Sequence, residues 1–209
     1  MVQTSNLTFK YKKKEAVFSF PSVNLQEQEN LLILGKSGIG KTTFLHLLAG
    51  ILKPFSGSVV IDKIDINTLS HSQLDKFRGK NIGLIFQKNH AVKSLSVFDN
   101  LKARLFFSRE TIKRSEIDFL LEQLDLIETK NSKVNELSEG QLQRLGIAMA
   151  VVHRPKIILA DEPTSSLDDE NCNIVMRLLQ QQAQKNKANL VVITHDIRIT
   201  SSFKNVITL

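Results

Sequence analysis

Short apolar runs recur along the chain, and most of them end in glycine or a polar side chain. "LLIL" (Leu31 to Leu34) runs into a glycine-rich loop, after which Phe44, Leu45, Leu47 and Leu48 recur at helical spacing. "SVVI" (Ser58 to Ile61), "IGLIF" (Ile82 to Phe86), "KIILAD" (Lys156 to Asp161) and "NLVVIT" (Asn189 to Thr194) follow. Runs this short and continuous suit strands buried on both faces of a parallel sheet. Between Phe86 and Lys156 the pattern changes. Val97, Leu101 and Leu105, then Ile117, Leu120, Leu121 and Leu124, then Leu142, Leu145, Gly146 and Met149 recur at the spacing of helices. An all-helical insertion in an α/β core accounts for both patterns. The first thirty residues, with Phe18, Phe20, Val23 and Leu25, read as a small antiparallel sheet. The expected division is one domain over 1–209, with an antiparallel part at about 1–30 and 52–70, a helical part at 88–154 and the catalytic core in the remainder.

Composition narrows the class without choosing a function. The 209 residues are 42% hydrophobic and 23% charged, the balance of a soluble globular protein with a buried core. A net charge of +7 is compatible with nucleic acid, an anionic membrane face or phosphate-bearing ligands. One cysteine, Cys172, excludes an intramolecular disulfide. The N-terminus lacks the apolar stretch of a signal peptide, and no apolar run approaches the roughly 18 residues of a membrane span. Any membrane role is therefore expected to come through a partner. The basic run Lys10, Lys12, Lys13 and Lys14 reads either as a solvated hairpin or as a face for anionic lipid. No nucleic-acid partner is expected, because aromatic and basic residues are not interleaved as in a base-stacking platform.

The chemistry starts at Gly35. "GKSGIGKTT" (Gly35, Lys36, Ser37, Gly38, Ile39, Gly40, Lys41, Thr42 and Thr43) fits the phosphate-loop pattern and has the strand before it and the helix after it that the pattern requires. The glycines let the backbone curl so that its N–H groups face one anion, and the helix adds unpaired N–H groups at its N-terminus. Lys41 can reach β- and γ-phosphates, and Thr42 can place a hydroxyl on Mg²⁺. "IILADEP" ends an apolar strand in two carboxylates. Beside a phosphate loop, Asp161 is expected to hold the metal and Glu162 to orient and deprotonate the attacking water. The competing reading of this pair is a helix start. Gln87 and His195 with Asp196 end two more apolar runs. In a parallel sheet, the strands ending in Gly35, Gln87, Asp161–Glu162 and His195 would bring all of these to one edge.

Taken in order, "GKSGIGKTT", Gln87, "LSEGQLQR", "IILADE", "SSLD" and His195 resemble the ATP-binding cassette (ABC) ATPase family over nearly the whole chain. The resemblance implies an α/β P-loop NTPase with a RecA-like parallel core sheet, an N-terminal antiparallel β subdomain and an inserted all-helical subdomain. It implies ATP and Mg²⁺ as ligands, the metal being held by Thr42, Gln87 and Asp161. Ser138, Gly140 and Gln141 match the signature that contacts the γ-phosphate of ATP held by a second copy. Asp168 matches the loop that crosses between the copies. Gln87 matches the residue that senses metal and γ-phosphate, and His195 the switch histidine. Tyr11 stands where an aromatic stacks on adenine, with Phe9 as the alternative. The implied assembly is a head-to-tail dimer of cassettes working with integral membrane permease subunits, cytoplasmic and peripheral on the inner face of the plasma membrane.

The chain departs from the family pattern at several points. Glu139 stands where the common signature has glycine, and Met149 where many members carry arginine. "QEN" replaces the usual glycine before the first core strand, and Ser165–Ser166 follow "DEPT" in place of Gly-Asn. "RGKNIGLIFQ" resembles the lipoprotein-release, macrolide-export and cell-division subfamily, in which the stretch from Asn89 to Asn100 would dock a permease helix. A regulator of a cell-division or wall-remodelling complex and the ATPase of an importer are the alternatives. Glu139, in the first turn of a helix capped by Ser138, reads as a carboxylate suited to the helix dipole or as a charge opposing the incoming phosphate.

Overall fold

A computed structural model describes residues 1–11, 16–88, 90–165 and 167–209. The basic residues Lys12, Lys13 and Lys14, together with Glu15, Asn89 and Ser166, lie outside them. Two sheets organise the chain. The antiparallel sheet has the order β2 (Val17–Ser19), β1 (Val2–Lys10), β5 (Ser56–Ile61), β6 (Ile64–Asp65), and β3 (Asn24–Leu25) also pairs with β1. The parallel sheet has the order β10 (Asn205–Thr208), β4 (Asn30–Leu34), β9 (Asn189–Thr194), β8 (Ile157–Asp161), β7 (Ile82–Ile85).

The apolar run at Ser58–Ile61 belongs to β5 and pairs antiparallel with β1, with Val2 opposite Ile61. Val59 and Ile61 are buried while Ser58 and Val60 are half-buried. This strand is covered on one face, so its continuous apolar run did not signal a doubly buried strand. The other runs do lie in the parallel sheet. Every residue of β8 and β9 is buried.

Alternating side chains feed two cores, as the two-residue period of a strand requires. Leu32, Ile158, Ala160, Leu190 and Val192 face helices α3 (Val97–Ser108), α4 (Arg114–Gln123), α5 (Glu139–Val151) and α6 (Asp169–Lys185) through Leu101, Leu121, Leu145 and Leu179. Leu31, Ile33, Leu159, Val191 and Ile193 face α1 (Lys41–Leu48) and the antiparallel sheet through Phe44, Leu45, Leu7 and Val59. Each fully buried Leu, Ile or Phe contributes roughly 1.5–3 kcal/mol. Gly83 in β7 lets α5 sit directly on the sheet, since a Cβ there would lie 2.2 Å from the carbonyl oxygen of Ala150.

Helix α2 (His71–Asn81) follows the antiparallel sheet. Its sequence is strongly polar and buries only Phe77, so hydrophobic periodicity gives little sign of it. Its signal is the capping box at Ser70 and Gln73, each side chain bonding the other's backbone N–H.

Candidate functional site

Register brings the predicted strand ends to one edge. Leu34 pairs with Thr194, Asp161 with Ile193, and Ile85 with Ala160. The loop after β4 curls through Gly38 at φ +83° and Gly40 at φ +111° before α1 begins. Gly40 is confined twice over: its φ suits glycine, and a Cβ would lie 2.9 Å from the ring of Phe18. Lys41, the first residue of α1, is buried, and its Nζ donates to the carbonyls of Gly35 (2.8 Å) and Lys36 (3.2 Å). It also lies 3.4 Å from Glu162 Oε1. The lysine is thus folded into its own loop beside the carboxylate.

Thr42 Oγ1 donates to Asp161 Oδ2 at 3.0 Å. Burial raises the Asp161 pKa and the neighbouring Glu162 adds to the rise, while the Thr42 hydrogen bond and the charges of His46 and Lys41 oppose it. A hydroxyl and a carboxylate this close fit the hard oxygen donors that Mg²⁺ prefers. Among the described residues there is no group of three or more His, Cys, Asp or Glu that could hold a metal. An ion at Thr42 and Asp161 would therefore lean on ligand phosphates, as Mg²⁺ commonly does.

Glu162 has a left-handed backbone, φ +48°, while its N–H still donates to Ile193 O at 2.9 Å. Its carboxylate accepts from Thr194 Oγ1 (2.7 Å), from the His195 N–H (3.3 Å) and pairs with His195 Nδ1 (3.0 Å). Burial would raise its pKa, but the hydrogen bonds from His195 and Thr194 outweigh it, and the net shift is downward. The group is held as a carboxylate.

Tyr11, Phe18, Lys36, Ser37, Gly38, Gly40, Lys41, Thr42, Thr43, Gln87, Asp161, Glu162 and His195 share a cavity of about 630 Å³. Of the predicted loop residues, Gly35 and Ile39 do not line it. Tyr11 donates to or accepts from Thr43 Oγ1 at 2.7 Å and stands edge-on to Phe9 at 4.7 Å and Phe18 at 6.0 Å. Phe9 is buried, so Tyr11 is the one of the pair with its ring at the surface. Sequence reasoning missed Phe18 and Thr194. Phe18 had only an aromatic-rich strand as its sign, whereas Thr194 stands next to His195 at the end of an apolar run.

The residues expected to form the signature lie elsewhere. Ser138 is the N-cap of α5, its Oγ accepting from the Gln141 N–H (3.3 Å) and its own N–H donating to Gln141 Oε1 (2.9 Å). Glu139 occupies the first turn, as expected. Ser138, Glu139 and Gly140 line a second cavity, of about 390 Å³, with Leu167, Asp168 and Asn171, and Gln141 is not part of its wall. Asp168 caps α6 by accepting from the Asn171 N–H at 2.8 Å. The two cavities share no residue. A groove of about 660 Å³ lies between, and Gln87, Glu139, Met149 and Glu162 are in its wall.

Residues 19–165 match the ABC transporter family. Among curated relatives, the lipoprotein-releasing system ATP-binding protein LolD of Buchnera aphidicola is 34% identical over 95% of this chain and 89% of its own. The uncharacterized ABC transporter ATP-binding protein MJ0796 of Methanocaldococcus jannaschii is 37% identical over 95% of this chain and 88% of its own. A dimeric, post-hydrolysis structure of the MJ0796 cassette bound to ADP and Pi superimposes with a TM-score of 0.87 at 34% identity, covering 100% of this chain and 94% of that one. With a phosphate loop, an acidic strand end and a helix capped by Ser138 on the same chain, the chain belongs to the ABC transporter family, as an ATP-binding and ATP-hydrolysing subunit.

Proposed function

We propose that two copies of this chain pack head to tail around ATP and drive separate membrane permease subunits, in export of a lipoprotein, peptide or drug. One observation carries the reading. Ser138 and Gly140 line a cavity with no residue in common with the cavity of Lys41, Asp161 and Glu162. One chain therefore holds two half-sites, and a second copy turned head to tail completes both. The dimeric MJ0796 cassette structures support this arrangement, and LolD, as a lipoprotein-releasing relative, supports the export class.

In this reading Lys41 and the loop N–H groups of Gly35 to Thr43 hold the phosphates. Thr42, Asp161 and Gln87 hold Mg²⁺, which when bound neutralises phosphate charge. Glu162 orients the attacking water and takes its proton. His195 meets the γ-phosphate and Tyr11 lies against adenine. Ser138, Gly140 and Gln141 bring the N-terminus of α5 to the phosphate on the facing copy, where its free N–H groups favour an anion. Asp168 crosses between the copies. Loss of the γ-phosphate removes part of the interface, so hydrolysis loosens the dimer.

Among the described residues no helix is long and apolar enough to cross a membrane. In this reading the chain sits on the inner face of the plasma membrane through the permease, a helix of which docks at the stretch from 89 to 100. Co-purification from native membranes tests the proposal: a multi-span permease should accompany the chain. Recovery with wall-remodelling proteins and no transport partner would favour the regulatory alternative instead.

A further inference from the structure

Arg198, in the short 3-10 helix Ile197–Ser202, lies outside every sequence motif, yet its guanidinium joins two loops of the site. Nε donates to Asp196 Oδ1 at 2.9 Å and Nη2 to Asp196 Oδ2 at 2.7 Å. Nη1 donates to Asp169 Oδ1 at 2.5 Å, and both Nη1 (3.3 Å) and Nη2 (3.2 Å) reach the carbonyl of Leu167. Leu167 and Asp169 flank Asp168. Asp196 directly follows His195, and its Oδ2 also accepts from Thr164 Oγ1 at 2.9 Å, two residues past Glu162.

We infer that Arg198 is a positioning residue for ATP-driven closure, tying the Leu167 carbonyl and the Asp169 carboxylate, on either side of Asp168, to the segment that carries His195. The inference rests on the two-half-site reading above. An ion pair with Asp169, whose side chain is 84% exposed, contributes little to the stability of the fold. Its consequence is geometric. The planar fork addresses a carboxylate on one loop and a carbonyl and a carboxylate on the other at once, which a lysine ammonium cannot reproduce. A γ-phosphate that engages His195 thereby constrains the loop offered to the facing copy.

The experiment uses the Glu162→Gln chain and reads the ATP concentration at half-dimerisation by size exclusion with light scattering. Affinity for a fluorescent ADP analogue is measured beside it. Arg198→Ala and Arg198→Lys should each raise the half-dimerisation concentration about tenfold, with ADP affinity held within about twofold. Asp169→Ala, a surface change that carries little folding risk, should raise it less, and adding it to Arg198→Ala should raise it no further. An unshifted midpoint in Arg198→Ala, a parallel loss of ADP affinity, or fully additive effects would each overturn the inference. Failure of the Glu162→Gln parent itself to dimerise with ATP overturns the two-half-site reading, and this inference with it.

Discussion

His195 Nδ1 lies 3.0 Å from Glu162 Oε2. The contact joins the end of β9 to the end of β8 and holds an ionised carboxylate beside Lys41.

Glu162→Gln keeps the shape of this hub and removes its basicity. Steady-state ATP hydrolysis should fall about 100-fold or more, within the range expected for loss of a general base. ATP binding should persist, because Lys41, Thr42 and Asp161 are untouched. Turnover assayed beside ATP titration separates the two. Retained hydrolysis would mean that the proton goes elsewhere.

Lys41→Ala acts on binding. A buried ammonium that now donates to Gly35 and Lys36 would lose its charge-assisted contacts to phosphate, worth about 1.5–3 kcal/mol each. ATP affinity should drop about 10- to 100-fold, read by equilibrium titration. An unchanged affinity contradicts the phosphate-loop assignment.

Much of the site was legible because its chemistry sits at the ends of apolar runs. Asp161 ends a buried strand, and Gly35, Gln87, Glu162 and His195 follow strand ends, so the parallel sheet alone brings them to one edge. What stayed hidden depends on contacts across the sequence. Arg198 gains its meaning only when Leu167 and Asp169 fold beside it. Phe18 lines the cavity because β2 returns along β1, with Phe18 opposite Phe9. The polar helix α2 lacks the apolar stripe by which helices are recognised.

Glu139→Gly asks what the carboxylate in the signature does. Glu139 lies in the first turn of α5, where a negative charge offsets the helix dipole by about 0.3–1 kcal/mol, so the glycine variant should lose roughly 1–2 kcal/mol of stability once helix propensity is included. If helix chemistry is its whole role, the ATP dependence of dimerisation is unchanged. A lower ATP requirement in the variant would instead show that the charge opposes the facing phosphate.

His153 couples the stability of the fold to acid pH. It lies buried at the end of α5, where its Nε2 meets Arg104 Nη2 at 2.8 Å and Ile82 O at 3.2 Å. Burial, with the Arg104 charge beside it, lowers its pKa from 6.5 to about 3, and the hydrogen bond to Ile82 only partly opposes this. A folded pKa below the unfolded one means that the unfolded chain binds more protons between about pH 6.5 and 3. Stability must therefore fall as the pH drops through that window, by up to about 1.4 kcal/mol per pH unit from this group. Well above pH 6.5 the ring is neutral in both states and contributes no slope. His153→Gln removes the titration, so urea unfolding at pH 7.5, 6 and 5 should show a shallower loss of stability in the variant than in the wild type. Equal slopes would mean that His153 takes up its proton in the folded chain, which would place a second cation against Arg104 in the junction between α3, α5 and β7.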